Sequence, residues 1–301
     1  MRNHFRNYSA RQGLRIARFM QESVEKGPLP DYENPPVVET ILGVQFERLP
    51  GFRNAHLGAF WKTLNTEEWP VVSDAPPLQP ESEQFTESAR WAPIGARLMV
   101  TQDLSSRTQI KNRAGDGMIQ VQNGRFHFNW LGQAGGQYPR YRSVRQGFLE
   151  ALQQFITFVI KEKVGDFRPN QWEVTYLNHI LKGTVWNAPN DWGFFQPLLG
   201  AVPTVDGLVK GESFTGGWHF VIPERRGRLH IEWQHGKKSE PEEQEVIVLT
   251  FTARGSIEKS ENVMRAILDG VDLGRETIVR SFATFMSQQA NSYWGIKNAR
   301  D

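Results

Sequence analysis

Two stretches of this chain open alike: residues 34–46 read NPPVVETILGVQF and residues 168–180 read RPNQWEVTYLNHI. Pro35 and Glu39 are spaced as Pro169 and Glu173 are, and each pair leads into an alternation of apolar and polar residues of period two, the mark of a half-buried strand. After the first opener, a strand over 37–47, come a short helix carrying Leu57, Phe60, Trp61 and Leu64, strands over 96–112, 118–122 and 125–131, and a helix over 143–163. Asn123-Gly124 is a two-residue hairpin signal. The helix carries Val144, Phe148, Leu152, Phe155, Ile156 and Val159 at helical spacing. After the second opener, a strand over 172–181, the order returns. A short helix over 190–200 starts at Asn190 or Asp191; strands cover 208–222, 228–234 and 245–253; a helix over 273–293 is capped by Asp272.

An element order repeated across most of the chain constrains the fold more than any single motif. It predicts an α+β protein of internally duplicated β-α-β-β-β-α units. Each meander curls under its own long helix, and the two sheets join edge to edge into one curved antiparallel sheet with two long helices on one face. Residues 28–165 form the first repeat, with a proline-rich, aperiodic insertion at 66–93; residues 166–297 form the second, and 298–301 a tail. The layout has architectural analogues in the saddle of TATA-binding proteins and in helix-grip folds; likeness of fold does not carry function.

Residues 1–27 stand apart as a basic extension. Arg2, Arg6, Arg11, Arg15 and Arg18 precede the first acid, Glu22, and no apolar core of a secretory signal accompanies them. Two readings are open: a disordered basic tail, or a natural start at Met20. Three stretches also resemble a sporadically distributed bacterial protein family of about this length: LPDYENPPVVETILGVQF, WEVTYLNHI and DLGRETIVRSFATFMSQQANSYWG, within residues 28–297. The resemblance implies a bacterial or phage-related gene on a mobile locus. It implies no activity, cofactor or catalytic residue. A His-Glu pair common in the last motif of that family is Arg275-Glu276 here.

Composition excludes several chemistries. The chain has no cysteine, which removes disulfides, thiolate nucleophiles and Cys-ligated metals, and fits a reducing, cytoplasmic compartment. No apolar run approaches the length of a membrane span. Thirty-five basic and 33 acidic residues balance to a net charge of +2, so bulk charge does not point to nucleic acid. No phosphate-binding loop and no serine nucleophile elbow occurs.

What remains are constellations. His230, Glu232 and His235 are the densest set of metal-type ligands, but they read better as the wet face of a sheet, and no metal or cofactor is expected. Glu39 and Glu173 hold equivalent places in the two openers, so a pseudo-twofold axis would pair their carboxylates for acid–base work, unless they meet arginines instead. Lys111 and Arg113 tip one hairpin, and Arg225, Arg226 and Arg228 the corresponding one, as though to straddle a phosphate backbone. Trp172, Tyr176, Asn178, Trp218, Phe220 and Trp233 either pack as core or line a ligand pocket between sheet and helix, with Asn178 a hydrogen-bonded pin in an apolar face. The expectation is a non-enzymatic binding protein that recognises a macromolecule, a protein before a nucleic acid, with the partner encoded by a neighbouring gene. The alternatives are nucleic-acid binding through the paired hairpins and binding or turnover of a small apolar ligand.

Overall fold

The structure, a computed structural model, describes residues 27–79, 81–83, 106–132, 137–188, 191, 193–195, 215–238, 243–258 and 260–298. The first part of the chain supplies β1 (Pro30–Tyr32), β2 (Val37–Phe46), α1 (Asn54–Trp61), β3 (Val71–Ala75), β4 (Arg107–Lys111), β5 (Gly117–Gln122), β6 (Arg125–Leu131) and α2 (Arg140–Glu162). The second supplies β7 (Pro169–Leu181), β8 (Thr215–Ile222), β9 (Gly227–Lys238), β10 (Gln244–Ser256), α3 (Val263–Phe285), α4 (Gln288–Tyr293) and β11 (Ile296–Asn298). The fold is α+β. Nine strands form one antiparallel sheet in the order β3-β4-β5-β6-β2-β7-β10-β9-β8, and β1 pairs with β11 in a separate ribbon. The two openers are therefore neighbours at the centre of the sheet, with Leu42 opposite Val174 and Ile41 opposite Thr175.

Both long helices cover the same face. On it, Phe155 of α2 is ringed by Phe46, Phe52, Phe60, Phe126 and Phe167. Each large side chain buried in this way is worth about 1.5–3 kcal/mol relative to exposure. α3 sits down on β7 over Trp172. A Cβ added at Gly270 would lie 2.3 Å from the Trp172 ring, and one at Gly274 2.8 Å from both that ring and Val174. The indole lies in a slot that only glycine leaves open.

Several expected boundaries move. The last helix begins at Val263, ten residues before the predicted start, with the Asn262 side chain accepting from the Arg265 N–H at 2.9 Å. Asp272 is no cap; it lies mid-helix. Gly270 and Gly274 read as breakers by propensity, yet the packing on Trp172 requires them inside the helix. The run expected to continue to 293 breaks after Phe285, and α4 restarts with Ser287 as its cap. The insertion at 66–93 is not wholly irregular: β3 forms in it as an edge strand, with Pro70 and Pro76 flanking the strand and not interrupting its ladder. Of the short helix expected over 190–200, Phe194 lies in a turn and Phe195 bridges to Met286; most of that segment, like 96–105, lies outside the described residues. Residues 235–238, predicted as loop, continue β9.

The opposite face of the sheet is polar. One row across eight strands reads Ser73, Gln109, Gln120, His127, Gly43, Glu173, Arg254, Arg228. Residues 76–79 and 81–83 cross this face, tied first to Gln122 on β5 and finally to Arg228 on β9.

Gly270→Ala is expected to lower stability by about 1–3 kcal/mol through overpacking against Trp172. Gly58→Ala, in α1 with nothing within 4 Å of its added Cβ, is expected to raise it by about 0.5–1 kcal/mol. Urea denaturation of the two variants measures both.

Candidate functional site

A cleft of about 500 Å³ opens between the N-terminal end of α2 and the middle of α3, within the size range of small-molecule sites. Its floor is the centre of the sheet, Tyr176 and Asn178 of β7; one wall is Arg275, Ile278, Val279 and Phe282 of α3. Tyr138, Arg140, Tyr141 and Arg142 form the other, and residues 29–36 close the rim. The rim is fixed by the β1–β11 ribbon and by the Tyr32 hydroxyl, which donates to Asn291 Oδ1 at 2.6 Å. The stretches LPDYENPP, WEVTYLNHI and DLGRETIVRSF, distant in sequence, thus meet at one place. A hollow of similar size beside the turn at residues 48–57 has no buried ionisable group converging on it.

The polar groups of the cleft are held in unequal ways. Arg145 clamps Asp272 with two bonds of 2.8 and 2.9 Å, and the Tyr141 hydroxyl donates to the same carboxylate at 2.6 Å. That tie joins α2 to α3 beside the cleft. Arg140 donates to Asp31 at 3.0 Å and to the Tyr32 carbonyl at 2.7 Å. Holding that geometry, Arg140 takes φ +72°, a left-handed conformation costly for a side chain with a Cβ. Tyr138 and Tyr176 share a hydroxyl contact of 3.2 Å, and burial pushes both phenols up, so they stay neutral donors and acceptors. Asn178 donates to the Leu249 carbonyl at 3.0 Å, the expected pin.

Arg275 differs. Its guanidinium lies 4.9 Å over the Tyr141 ring, and no carboxylate among the described residues pairs with it. Its Nε is fully buried with no hydrogen-bond acceptor. A buried donor left open costs on the order of 1–3 kcal/mol, and the side chain also lines the cleft, where an anion would meet a guanidinium with no carboxylate among the described residues.

The six residues expected to form one pocket part company. Tyr176 and Asn178 line the cleft; Trp172 is core beneath α3; Trp218, Phe220 and Trp233 cluster with Phe285 near the β8 edge. Alternation along three strands put them on one face, but the face is wide enough for three separate environments.

Glu39 and Glu173 do not form a dyad. Glu173 stands opposite Gly43, four residues along β2 from Glu39, about 13 Å at strand rise. Glu39 accepts from Asn129, and burial pushes its carboxyl up. Glu173 meets two arginines and an imidazole instead: Arg125 at 3.9 Å, Arg254 at 3.8 Å and His127 at 3.4 Å. His127 and Glu173 belong to strands two apart, and they touch because Gly43 between them has no side chain; a Cβ there would lie 2.4 Å from the imidazole. Glu173 is pushed up by burial, opposed by Arg125, while His127 is pushed down to about 3 by burial and by Arg125 and Arg107.

The cationic hairpins do not act together. The β4–β5 turn, with Lys111 and Arg113, leaves the sheet at the end where Glu39 lies; the β8–β9 turn, with Arg226, leaves at the opposite end. Arg113 donates to the Glu67 carbonyl at 2.9 Å, and Arg228 points onto the polar face to pair with Glu83. The backbone of Arg225 lies in the same turn. His230 and Glu232 share the polar face but His235 lies on the other, edge-on to Trp186, so this trio cannot converge; no group of three or more His, Asp or Glu among the described residues is placed to hold a metal. No helix among them is long and apolar enough to cross a membrane.

Sequence reasoning passed over Arg275 as a ligand group and the polar face as a buried one. The signal for the first was an arginine where the resembling family carries histidine. The second had none, because a polar face reads as wet. No protein-family model matches the chain, and no curated protein or solved structure is significantly similar to it.

Because the folded pKa of His127 lies below its ordinary value of 6.5, the unfolded chain binds the extra proton in that interval. The stability His127 contributes is complete above about pH 6.5 and falls as pH drops toward 3. Glu173, whose carboxyl is raised, has the opposite sign. The melting temperature of His127→Gln should therefore decline less steeply between pH 6.5 and 4 than that of the unaltered protein; parallel curves would exclude the assignment.

Proposed function

We propose that this chain is a binding protein for a small amphipathic anion, a molecule with an apolar body and one carboxylate-, sulfonate- or phosphate-type group, which enters the cleft between α2 and α3. The observation that carries this reading is Arg275: a half-buried guanidinium that lines the cleft and has no carboxylate partner among the described residues. Arg275 meets the anionic group. Tyr138 and Tyr176 donate beside it, and Ile278, Val279 and Phe282 take the apolar body. Arg140 and Arg142 at the mouth raise the local concentration of anions. Nothing in the cleft forms a nucleophile–base pair, so the reading is binding rather than turnover.

We further infer that the sheet is an internal duplication. Supporting this, the equivalence of Glu39 with Glu173 puts a pseudo-twofold axis through the Ile41–Thr175 pair. About it, β2, β6, β5 and β4 correspond to β7, β10, β9 and β8, and α2 to α3. The cleft then lies between equivalent helices near the axis, a common place for a ligand in a doubled fold.

Anilinonaphthalene sulfonate, an amphipathic anion that fluoresces in apolar sites, tests the cleft. It should bind with one-to-one saturation, and Arg275→Gln should weaken binding by about 10-fold or more, the worth of a charge-assisted hydrogen bond. Equal affinity in the folded variant, or no saturable binding to the unaltered protein, would refute the reading.

A further inference from the structure

A strap of residues 76–79 and 81–83 lies on the polar face without adding to the core. No residue of this strap belongs to the buried apolar cluster, and Gln79, Glu81 and Ser82 are exposed. What holds it is side-chain chemistry projecting from the sheet. Gln122 accepts from the Leu78 N–H and donates to the Leu78 carbonyl, both at 2.8 Å. Gln171 accepts from the Glu83 N–H at 3.0 Å and donates to the Glu81 carbonyl at 2.6 Å, which also accepts from Gln45 at 2.9 Å. The three amides are all buried, at 5–8% exposure, and each is turned to read peptide backbone. Beyond them the two glutamates are captured. Glu83 is held by Arg228, by His230 at 2.6 Å and by Arg254 at 3.2 Å, and Glu81 pairs with Arg254.

The fit is incomplete beneath. Arg125 Nη2, His127 Nε2 and Glu173 Oε2 are buried with no hydrogen-bond partner. The strap thus covers polar atoms it does not satisfy, each at a cost its own bonds must offset.

We propose that the polar sheet face is a recognition groove for an extended acidic peptide carrying two glutamates one residue apart, that the strap fills it in cis, and that such a segment of a partner protein displaces the strap in trans. Amides that pair with both backbone N–H and backbone C=O, as Gln122 and Gln171 do, suit a polypeptide and not a phosphodiester backbone, which offers no donors. The Arg228, Arg254 and His230 cluster sets the preference for acidic side chains. This surface lies on the side of the sheet away from the cleft and is independent of the cleft's ligand.

A fluorescein-labelled peptide of the strap sequence PPLQPESE tests the groove on the full chain. Glu81→Gln/Glu83→Gln, which frees the strap of its charges, should bind the peptide at least 10-fold more tightly than the unaltered protein does. Adding Arg254→Gln, or using a peptide with both glutamates replaced by glutamine, should abolish that gain. No binding to the folded double variant overturns the proposal, as does equal competition by oligothymidylate, the result expected of a general polyanion surface. Should the double variant fail to fold, hydrogen exchange on the unaltered protein decides. Excess peptide must speed exchange at the Leu78 and Glu83 amides while β7 stays protected, and unchanged rates reject the idea.

Discussion

The antiparallel seam between β2 and β7 is the contact on which the rest of the molecule depends. It turns two meanders into one sheet, and its register decides which side chains look up and which look down across nine strands. With Leu42 opposite Val174 and Val44 opposite Trp172, the apolar sets of both openers share a face. A slip of one residue would put Gln171 and Glu173 under α3 and lift Trp172 onto the polar side. The same seam brings the two long helices side by side, so that Arg145 on α2 reaches Asp272 on α3. The cleft is the space left where that contact stops.

The two faces are built on different physics. Under the helices, shape rules: glycines at 270 and 274 admit an indole, and Phe155 is enclosed by five rings. Across the polar face, charges are drawn out of water in a row, with Gly43 allowing His127 and Glu173 to meet over an empty position. Burying ionised groups is costly unless they are paired and hydrogen-bonded. Here pairing is partial, with Glu83 fully engaged while Arg125 and Glu173 keep open atoms. A functional surface has that character more often than a core does.

Much of the architecture was legible from periodicity. The strands at 118–122 and 125–131 and the apolar stripe of α2 stand within a few residues of where spacing put them. Asn178 is the pin its place in an apolar face implied. Where reading failed, a tertiary contact outweighed a local preference. Asp272 looked like a cap, yet the helix runs through it, with Gly270 and Gly274 packed on Trp172. The prolines around Val71–Ala75 hid an edge strand. Of the expected pocket only Tyr176 and Asn178 reach the cleft, because alternation reports the face a residue occupies and not the position along it.

Taken alone, the order of residues determined the α+β class and the exclusion of cysteine chemistry, since period and composition are local properties. Only the tertiary structure decided that the two openers pair at the centre of the sheet, that Glu39 and Glu173 stand apart, that the cationic hairpins leave opposite ends of the sheet, and that Arg275 has no carboxylate partner among the described residues. Those outcomes depend on strand register and helix approach, long-range contacts that residue spacing does not encode.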